Sequence, residues 1–311
     1  MKIKVSILAA VISVLLKLTA QAQENPSSQN AVKPALQLGS FKADYTYSPF
    51  EVNGENMYTQ QANASLIFPM YSRLKDGKLD FLLTGIAYTG LYLNGNSLAD
   101  GSSSFHSFSV PLTYQKSFSR KYSLSVSFIP TLSSDLNDFS GEDMIYTGAA
   151  ALKVKVSDKF SYSLGAVYSK QFFGALFLPL LGFDWQINSR VNLSGSLPIN
   201  QKLKYSLSDK NDIGIINNLG IGGGTYRLSE ILNSTYFHAQ QSKIALFYSY
   251  LPSKQFSVDI NAGYNYVQKL GFYDKNEKID LAPFDSLDDR IPLTEYNKNG
   301  ISVGVGINYR F

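Results

Sequence analysis

Hydrophobic and polar residues alternate along most of the chain with a period of two, which is the pattern of a β-strand with two unlike faces. The clearest example is 301–311, where Ile, Val, Tyr and Phe occupy every second position and Ser, Gly, Asn and Arg lie between them. The same alternation recurs in 41–47, 62–70, 108–114, 122–128, 146–154, 162–168 and 256–266. Such strands fit either a soluble sandwich or a membrane barrel whose apolar face is outside.

The connections between these strands separate the two alternatives. Short polar connections are predicted at 72–78, 119–121, 157–159, 188–190 and 252–255. Long ones are predicted at 94–104, 135–143, 229–241 and 271–298. Short periplasmic turns that alternate with long external loops are typical of outer-membrane barrels. We therefore predict an all-β fold, a transmembrane antiparallel up-and-down β-barrel over residues 35–311.

The number of strands depends on the segment 191–215. Two successive hairpins are predicted in and before this segment, and each is preceded by a proline, Pro179 or Pro198. With these hairpins the barrel has about 14 strands. If Pro198 only kinks one long strand, the number is 12. Both numbers are even, as chain ends on one side of the membrane require.

The N-terminus indicates export. Residues 1–22 carry Lys2 and Lys4 before an apolar stretch and end in Ala20-Gln21-Ala22, as a cleaved signal peptide does. Residues 23–34 are polar and proline-containing, which predicts a flexible periplasmic leader. The chain has no cysteine, and its longest later apolar stretch, 172–183, is too short for a membrane helix. We expect the outer membrane of a Gram-negative bacterium, with its lipid around the barrel.

The net charge excludes one class of partner. Without residues 1–22, which hold three lysines and no acidic residue, the chain has 28 − 3 = 25 basic and 24 acidic side chains. A balance this close to neutral gives no reason to expect nucleic-acid binding.

Several short motifs resemble those of a known family. They are Leu178-Pro179-Leu180-Leu181-Gly182-Phe183 with Trp185 and Asn188, Leu197-Pro198 with Tyr205, and Gly223-Gly224-Thr225-Tyr226-Arg227-Leu228. The chain resembles, over most of its mature length, an outer-membrane barrel family of Bacteroidota that is a domain of unknown function. The resemblance implies a barrel and brings no catalytic residues.

Candidate chemistry is sparse. The chain has only two histidines, His106 and His238, and a rim enzyme acting on lipid or lipopolysaccharide would need His106 with Ser104 or Ser107. Because neighbouring strand residues point to opposite faces, His106 and Ser107 are a poor pair, so we predict no catalytic residue. The run Gly220–Gly224 lacks the context of a phosphate loop and favours a glycine-rich wall strand that bends or packs closely. No cofactor is predicted.

The segment 271–298 is rich in Asp and Glu. Its spacing does not fit a calcium loop, so a solvated surface loop is favoured and no metal site is predicted. Alternatively, the loop folds into the mouth and narrows it, since it contains several apolar residues. They are Phe272, Leu281, Phe284, Leu287 and Ile291.

The polar faces of the strands predict a narrow lumen. The candidate lumen residues are Lys42, Asp44, Lys153, Lys155, Asp184, Gln186, Asp259, Asn261 and Arg310. We predict a monomeric channel or binding barrel for a small solute, with a structural or surface-interaction barrel as the alternative.

The apolar row of the last strand, ending in an aromatic residue, resembles the signal read by the barrel-assembly machinery. Its members are Val303, Val305, Ile307, Tyr309 and Phe311. The same strand is expected to pair with 36–47 and close the barrel.

Overall fold

The structure is a computed structural model that describes residues 38–52, 54–95, 104–138, 140–229 and 235–311. The predicted signal peptide, 1–22, and leader, 23–34, lie outside the described residues and stay predictions. No helix in the described ranges is long and apolar enough to cross a membrane.

The described residues form eighteen β-strands, numbered in chain order. They are β1 Ser40–Val52, β2 Glu55–Lys75, β3 Lys78–Gly95, β4 Ser104–Ser109, β5 Leu112–Ser117, β6 Tyr122–Ser134, β7 Met144–Lys155, β8 Phe160–Gln171, β9 Gly174–Gln186, β10 Val191–Leu197, β11 Asn200–Ser208, β12 Asn211–Asn218, β13 Gly224–Arg227, β14 Thr235–Tyr250, β15 Phe256–Asp274, β16 Ile279–Ala282, β17 Thr294–Asn297 and β18 Gly300–Arg310. Two short 3-10 turns, Gly141–Asp143 and Leu287–Asp289, are the only helical elements in these ranges.

The strands close into one antiparallel barrel with fourteen wall strands. Consecutive strands pair around the wall, and β1 closes it against β18, with Phe41 opposite Tyr309 and Tyr47 opposite Val303. Of the eighteen strands, β4 and β5 make one wall strand interrupted at Val110-Pro111, and β13, β16 and β17 lie at one end of the barrel. The prediction of 14 strands is confirmed, and the alternative of 12 is wrong because Pro198 lies between β10 and β11.

The two faces of the wall differ as the alternation predicts. On β18, Ile301 is 61% exposed whereas its neighbour Ser302 is 0% exposed. Outward apolar side chains such as Ile86 and Leu246 are also largely exposed. A closed barrel leaves no unpaired edge, and an apolar outer surface is the form in which β-strands cross an outer membrane.

Several predicted connections differ from the structure. The connection 72–78 is only Asp76-Gly77, since β2 continues to Lys75. The predicted loop 229–241 contains the first half of β14, and 271–298 contains the end of β15 with β16 and β17. Three connections on the side away from the chain ends have only two residues, at 53–54, 172–173 and 198–199. External loops are therefore not all long, and most of the predicted long connection 94–104 lies outside the described residues.

Candidate functional site

A folded-in segment, here called the mouth plug, occupies the end of the barrel away from the chain termini. It consists of β13, the upper halves of β14 and β15 (235–241 and 268–274), and the connection 275–299 that contains β16 and β17. The upper halves bend away from the wall at a β-bulge in β15, where Tyr266 is the extra residue between Asn265, opposite Lys243, and Val267, opposite Ser242. A bulge adds one unpaired residue and bends its strand, so it directs this hairpin over the lumen.

One face of the plug packs against the first four wall strands in what we call the inner cluster. Its buried members are Phe50, Met57, Leu91, Leu93, Phe105, Tyr226, Leu228, Phe237, Ala239, Leu270 and Tyr296. The rings of Phe105 on the wall and Phe237 on the plug stack with centroids 3.9 Å apart. Burial raises the pKa of Tyr296, so its phenol stays neutral. Such apolar packing excludes water across this part of the mouth.

Glycines let the chain leave the wall and enter the mouth. After β12 it turns at Gly222 and Gly223, which have φ of +76° and +55°. A Cβ on Gly222 would lie 2.5 Å from Leu176 Cδ2, and one on Gly223 would lie 2.3 Å from Ala239 O. The prediction of close packing fits this site, but the prediction of a wall strand is wrong, because 219–223 is the entry turn of the plug.

Polar contacts fasten β13 to the opposite wall. The Ser133 hydroxyl donates to Thr225 O at 2.6 Å, and the Thr225 hydroxyl donates to Gln171 Oε1 at 2.6 Å. The Arg227 guanidinium donates to the carboxylates of Asp138 and Asp143. Because the Asp143 side chain is 0% exposed, this ion pair is part of the closed mouth rather than a surface contact.

The other face of the plug forms the outer cluster around Arg290. Its apolar members are Phe173, Leu176, Leu178, Tyr236, Tyr273, Ile279 and Ala282. The Arg290 guanidinium lies 4.3 Å from the Tyr273 ring centroid, and donates to Tyr236 Oη at 2.8 Å and His238 Nδ1 at 3.0 Å. Arginine only donates, so His238 Nδ1 accepts and its Nε2–H donates to Gly222 O at 3.0 Å. His238 is thus a neutral structural link between loop, plug and entry turn.

Polar cavities fill the lumen beneath the plug. One, of about 330 Å³, is lined mainly by hydroxyl and amide groups that include Thr89, Ser107 and Thr131. A second, of about 460 Å³, shares Gln61, Gly223 and Gln241 with the first and is also lined by Asp44 and Lys243. Wall hydroxyls bond across strands, as Ser109 and Thr131 do at 2.9 Å. The lumen is therefore polar at mid-height and closed above by the plug.

A third cavity lies nearer the chain termini. It has a volume of about 320 Å³ and is lined by Lys202, Lys204, Asp212, Asp259, Asn308 and Arg310, among others. Asp259 in this cavity and Asn261 in the one above are successive inward residues of β15. The lumen is thus polar from the terminal end up to the plug.

The structure places the predicted lumen residues at different heights. Asp44 and Asn261 line the cavity directly beneath the plug, and Asp259 and Arg310 line the third one. Lys153, Lys155, Asp184 and Gln186 line another polar cavity near the turn between β7 and β8. Lys42 pairs with Asn308 on the inward row. These residues share one lumen but do not converge on one centre.

Sequence reasoning did not select several charged lumen residues. Lys202, Lys204, Asp212 and Lys243 all line cavities in the barrel. The signal was present at two of them, because Lys202 and Lys204 alternate with the apolar Leu203 and Tyr205. The signal was weaker at Lys243, because the inward row that it begins continues with the apolar residues Ala245 and Phe247.

The candidate rim histidine points away from the lumen. His106 Nδ1 is 2.9 Å from Tyr88 Oη, and the neighbouring outward residue Phe108 is 48% exposed. Ser107 faces inward, where its hydroxyl lies 2.9 Å from that of Ser133. The two side chains are therefore on opposite faces of β4, so His106 and Ser107 do not form a nucleophile and base pair.

The acidic loop folds over the mouth. Lys269 Nζ pairs with Asp288 at 2.6 Å, and Tyr236 Oη donates to Glu277 O at 2.6 Å. Of its apolar residues, Phe272 and Leu287 pack against the clusters, whereas Phe284 and Ile291 are exposed. No group of three His, Asp or Glu side chains that could hold a metal ion occurs within the described ranges.

Comparison with known proteins gives one match over most of the chain. A family profile described as Domain of unknown function (DUF6268) matches residues 28–310. No curated protein matches the chain.

Among solved structures, an outer membrane channel from Pseudomonas putida F1 aligns with 93% of this chain and 100% of its own, at 8% identity and a TM-score of 0.40. The P. putida toluene transporter TodX aligns with 88% of this chain and 89% of its own, at 10% identity and a TM-score of 0.40. The NanC porin aligns with 88% of this chain and 100% of its own, at 8% identity and a TM-score of 0.34. At these TM-scores the alignments carry no functional argument, and the strand pairing alone establishes the barrel.

Proposed function

The chain belongs to the DUF6268 family, a domain of unknown function, and we propose from its geometry that it is a narrow outer-membrane channel for a small polar solute. The observation that supports this most is the polar lumen. Hydroxyl, amide and charged side chains line cavities from the terminal end to the underside of the plug. A barrel that served only as a rigid surface scaffold would not need a wet interior.

The plug makes this a gated channel. It is built from the protein's own strands and is held by two sets of contacts, the Arg227 ion pairs on one side and the Arg290 contacts on the other. Three buried polar side-chain atoms of the inward face have no protein partner within the described ranges, at Gln268, Ser302 and Asn308. Such groups suit a hydrated lumen, because water can satisfy them.

Single-channel recording in planar bilayers tests the proposal. Arg290→Ala removes the contacts that hold the outer cluster together. If this weakens closure by about 1.5 kcal/mol, the open population rises about tenfold. We expect rare openings for the wild type, frequent openings for Arg290→Ala, and wild-type behaviour for Lys298→Ala, an exposed residue of the same loop.

If neither the wild type nor Arg290→Ala conducts at any voltage, the barrel is not a channel. Equal opening by all three proteins would show that Arg290 does not hold the gate.

We also propose that the protein is not an enzyme. The outward position of His106 and the structural role of His238 support this. Release of a product from lipopolysaccharide or phospholipid by the purified protein would contradict it. Cleavage of the signal peptide after Ala22, insertion by the barrel-assembly machinery and a monomeric state remain predictions.

A further inference from the structure

The lumen carries more positive than negative charge. Below the plug, the described inner wall has seven basic and four acidic side chains, an excess of 7 − 4 = 3 positive charges. The basic residues are Lys42, Lys153, Lys155, Lys202, Lys204, Lys243 and Arg310, and the acidic ones are Asp44, Asp184, Asp212 and Asp259. The mature chain as a whole is almost neutral, so the excess is a property of the lumen.

The four acidic side chains are covered by donors from the wall. Asp44 accepts a hydrogen bond from Asn63 Nδ2 at 2.7 Å, and Asp184 accepts one from Asn192 Nδ2 at 2.9 Å. Asp259 accepts from the hydroxyls of Ser249 and Ser257, and Asp212 pairs with Lys204 at 3.4 Å. Hydrogen bonds to a carboxylate spread and partly satisfy its charge, so these groups attract a passing cation less.

Most of the basic side chains have no such compensation. Lys155 pairs with Asp158 and Lys204 pairs with Asp212, but the other five form no salt bridge within the described ranges. Lys202 Nζ lies 4.2 Å from the Phe247 ring centroid, and Lys243 Nζ donates to Asn261 Oδ1 at 3.1 Å. These direct partners are neutral, and the carboxylates in the same cavities, Asp44 for Lys243 and Asp212 and Asp259 for Lys202, accept their hydrogen bonds or ion pairs from other side chains.

Two of these lysines lie at successive levels. Ile216 on β12 pairs with both Lys202 on β11 and Ala245 on β14, so Lys202 and Ala245 lie at the same level of the wall. Lys243 is the inward residue next to Ala245 on the side towards the plug. It is therefore one inward position nearer the plug than Lys202. Lys202 lines the lower cavity and Lys243 the cavity beneath the plug, so an anion can be passed from one to the other.

We propose that the lumen selects small anionic solutes that carry a carboxylate or phosphate group, with Lys202 and Lys243 as consecutive binding positions. The inference rests on the proposed channel function, whose solute class it specifies. In a narrow lumen with low-dielectric walls, uncompensated charges of one sign raise the local concentration of the opposite ion.

The test is the reversal potential in a KCl gradient, measured with Arg290→Ala as the open background. We expect chloride to be more permeant than potassium. The double change Lys202→Gln and Lys243→Gln should lower this preference at least about twofold, because two of the uncompensated charges are lost. Lys75→Gln, an exposed lysine at the β2–β3 turn, is the matched control and should change nothing. Heat-modifiable migration in gels verifies that each variant is folded.

A channel that conducts but prefers potassium, or whose preference is unchanged by the double variant, would overturn the inference and leave the channel function standing. If no variant conducts, the channel function fails. Calorimetric titration with succinate and with inorganic phosphate then decides the anion site. If the wild type binds either probe and the double variant does not, the anion site is supported even though the channel function has failed. If neither probe binds to the wild type, the anion site is overturned as well.

Discussion

At the scale of single residues, the mouth depends on two arginines with different surroundings. Arg227 neutralises carboxylates, one of which is fully buried, whereas Arg290 lies among aromatic rings and bonds to a neutral histidine. Only the Arg227 site therefore leaves an uncompensated buried charge when the arginine is removed. Neither partnership is visible in the sequence, because Arg227 and Asp143 are 84 residues apart.

Arg227→Ala should open the mouth locally. Removing one member of a buried ion pair costs about 3–5 kcal/mol, because Asp143 stays buried and charged. We expect faster proteolysis within 135–143 and 219–229 in the folded, membrane-inserted protein.

Arg120→Ala is the control for this change, since Arg120 bonds to Asp76 O at the opposite end of the barrel. Cleavage rates equal to those of the wild type would show that Arg227 does not hold β13 in place.

At the scale of elements, the last strand combines closure of the barrel with its proposed role in assembly. Phe311 exchanges two backbone hydrogen bonds with Gly39, of 3.0 and 3.1 Å, and its ring occupies the space where a Cβ on Gly39 would lie. The outward row Val303 to Phe311 is the part that resembles a recognition signal. Its side chains can therefore be changed without removing the backbone pairing with β1.

Phe311→Ala should lower the fraction of protein inserted in the outer membrane. The backbone closure remains in this variant, so a loss reports on the aromatic side chain itself. Leu207→Ala, an exposed residue near the turn between β11 and β12, should be inserted like the wild type. Quantifying heat-modifiable protein in membrane fractions provides the measurement, and normal insertion of Phe311→Ala would contradict a role in recognition.

The wall could be predicted from the sequence, but the plug could not. Alternation is local, so it identified strands such as β6, β7 and β18 that have one apolar and one polar face. In the upper half of β14, residues 235–239 are all buried because clusters pack on both faces, and the alternation disappears. A strand that is covered on both faces shows no alternation, so the alternation alone predicts a loop here instead of a strand.

At the scale of the whole molecule, gate and wall are one continuous sheet. The plug hairpin is made of the same β14 and β15 that form the wall below, and its bend lies at the β15 bulge at Tyr266, opposite Ser242 and Lys243. In the proposed gating, we expect opening by rotation at this bulge and separation of the two clusters, while the fourteen wall strands keep their partners. Such an opening would not require unfolding of the barrel.

Because β18 pairs with both β1 and β15, we expect the barrel to stay closed when the chain is cut before β18. A protease that cut the exposed segment near Phe284 or Ile291 would leave a C-terminal fragment with a single wall strand. That fragment stays paired through eight residue pairs with β1 and ten with β15. We expect the nicked protein to migrate as one species before heating and as two fragments afterwards. The same property would allow the barrel to be expressed as two separate polypeptides that complement each other.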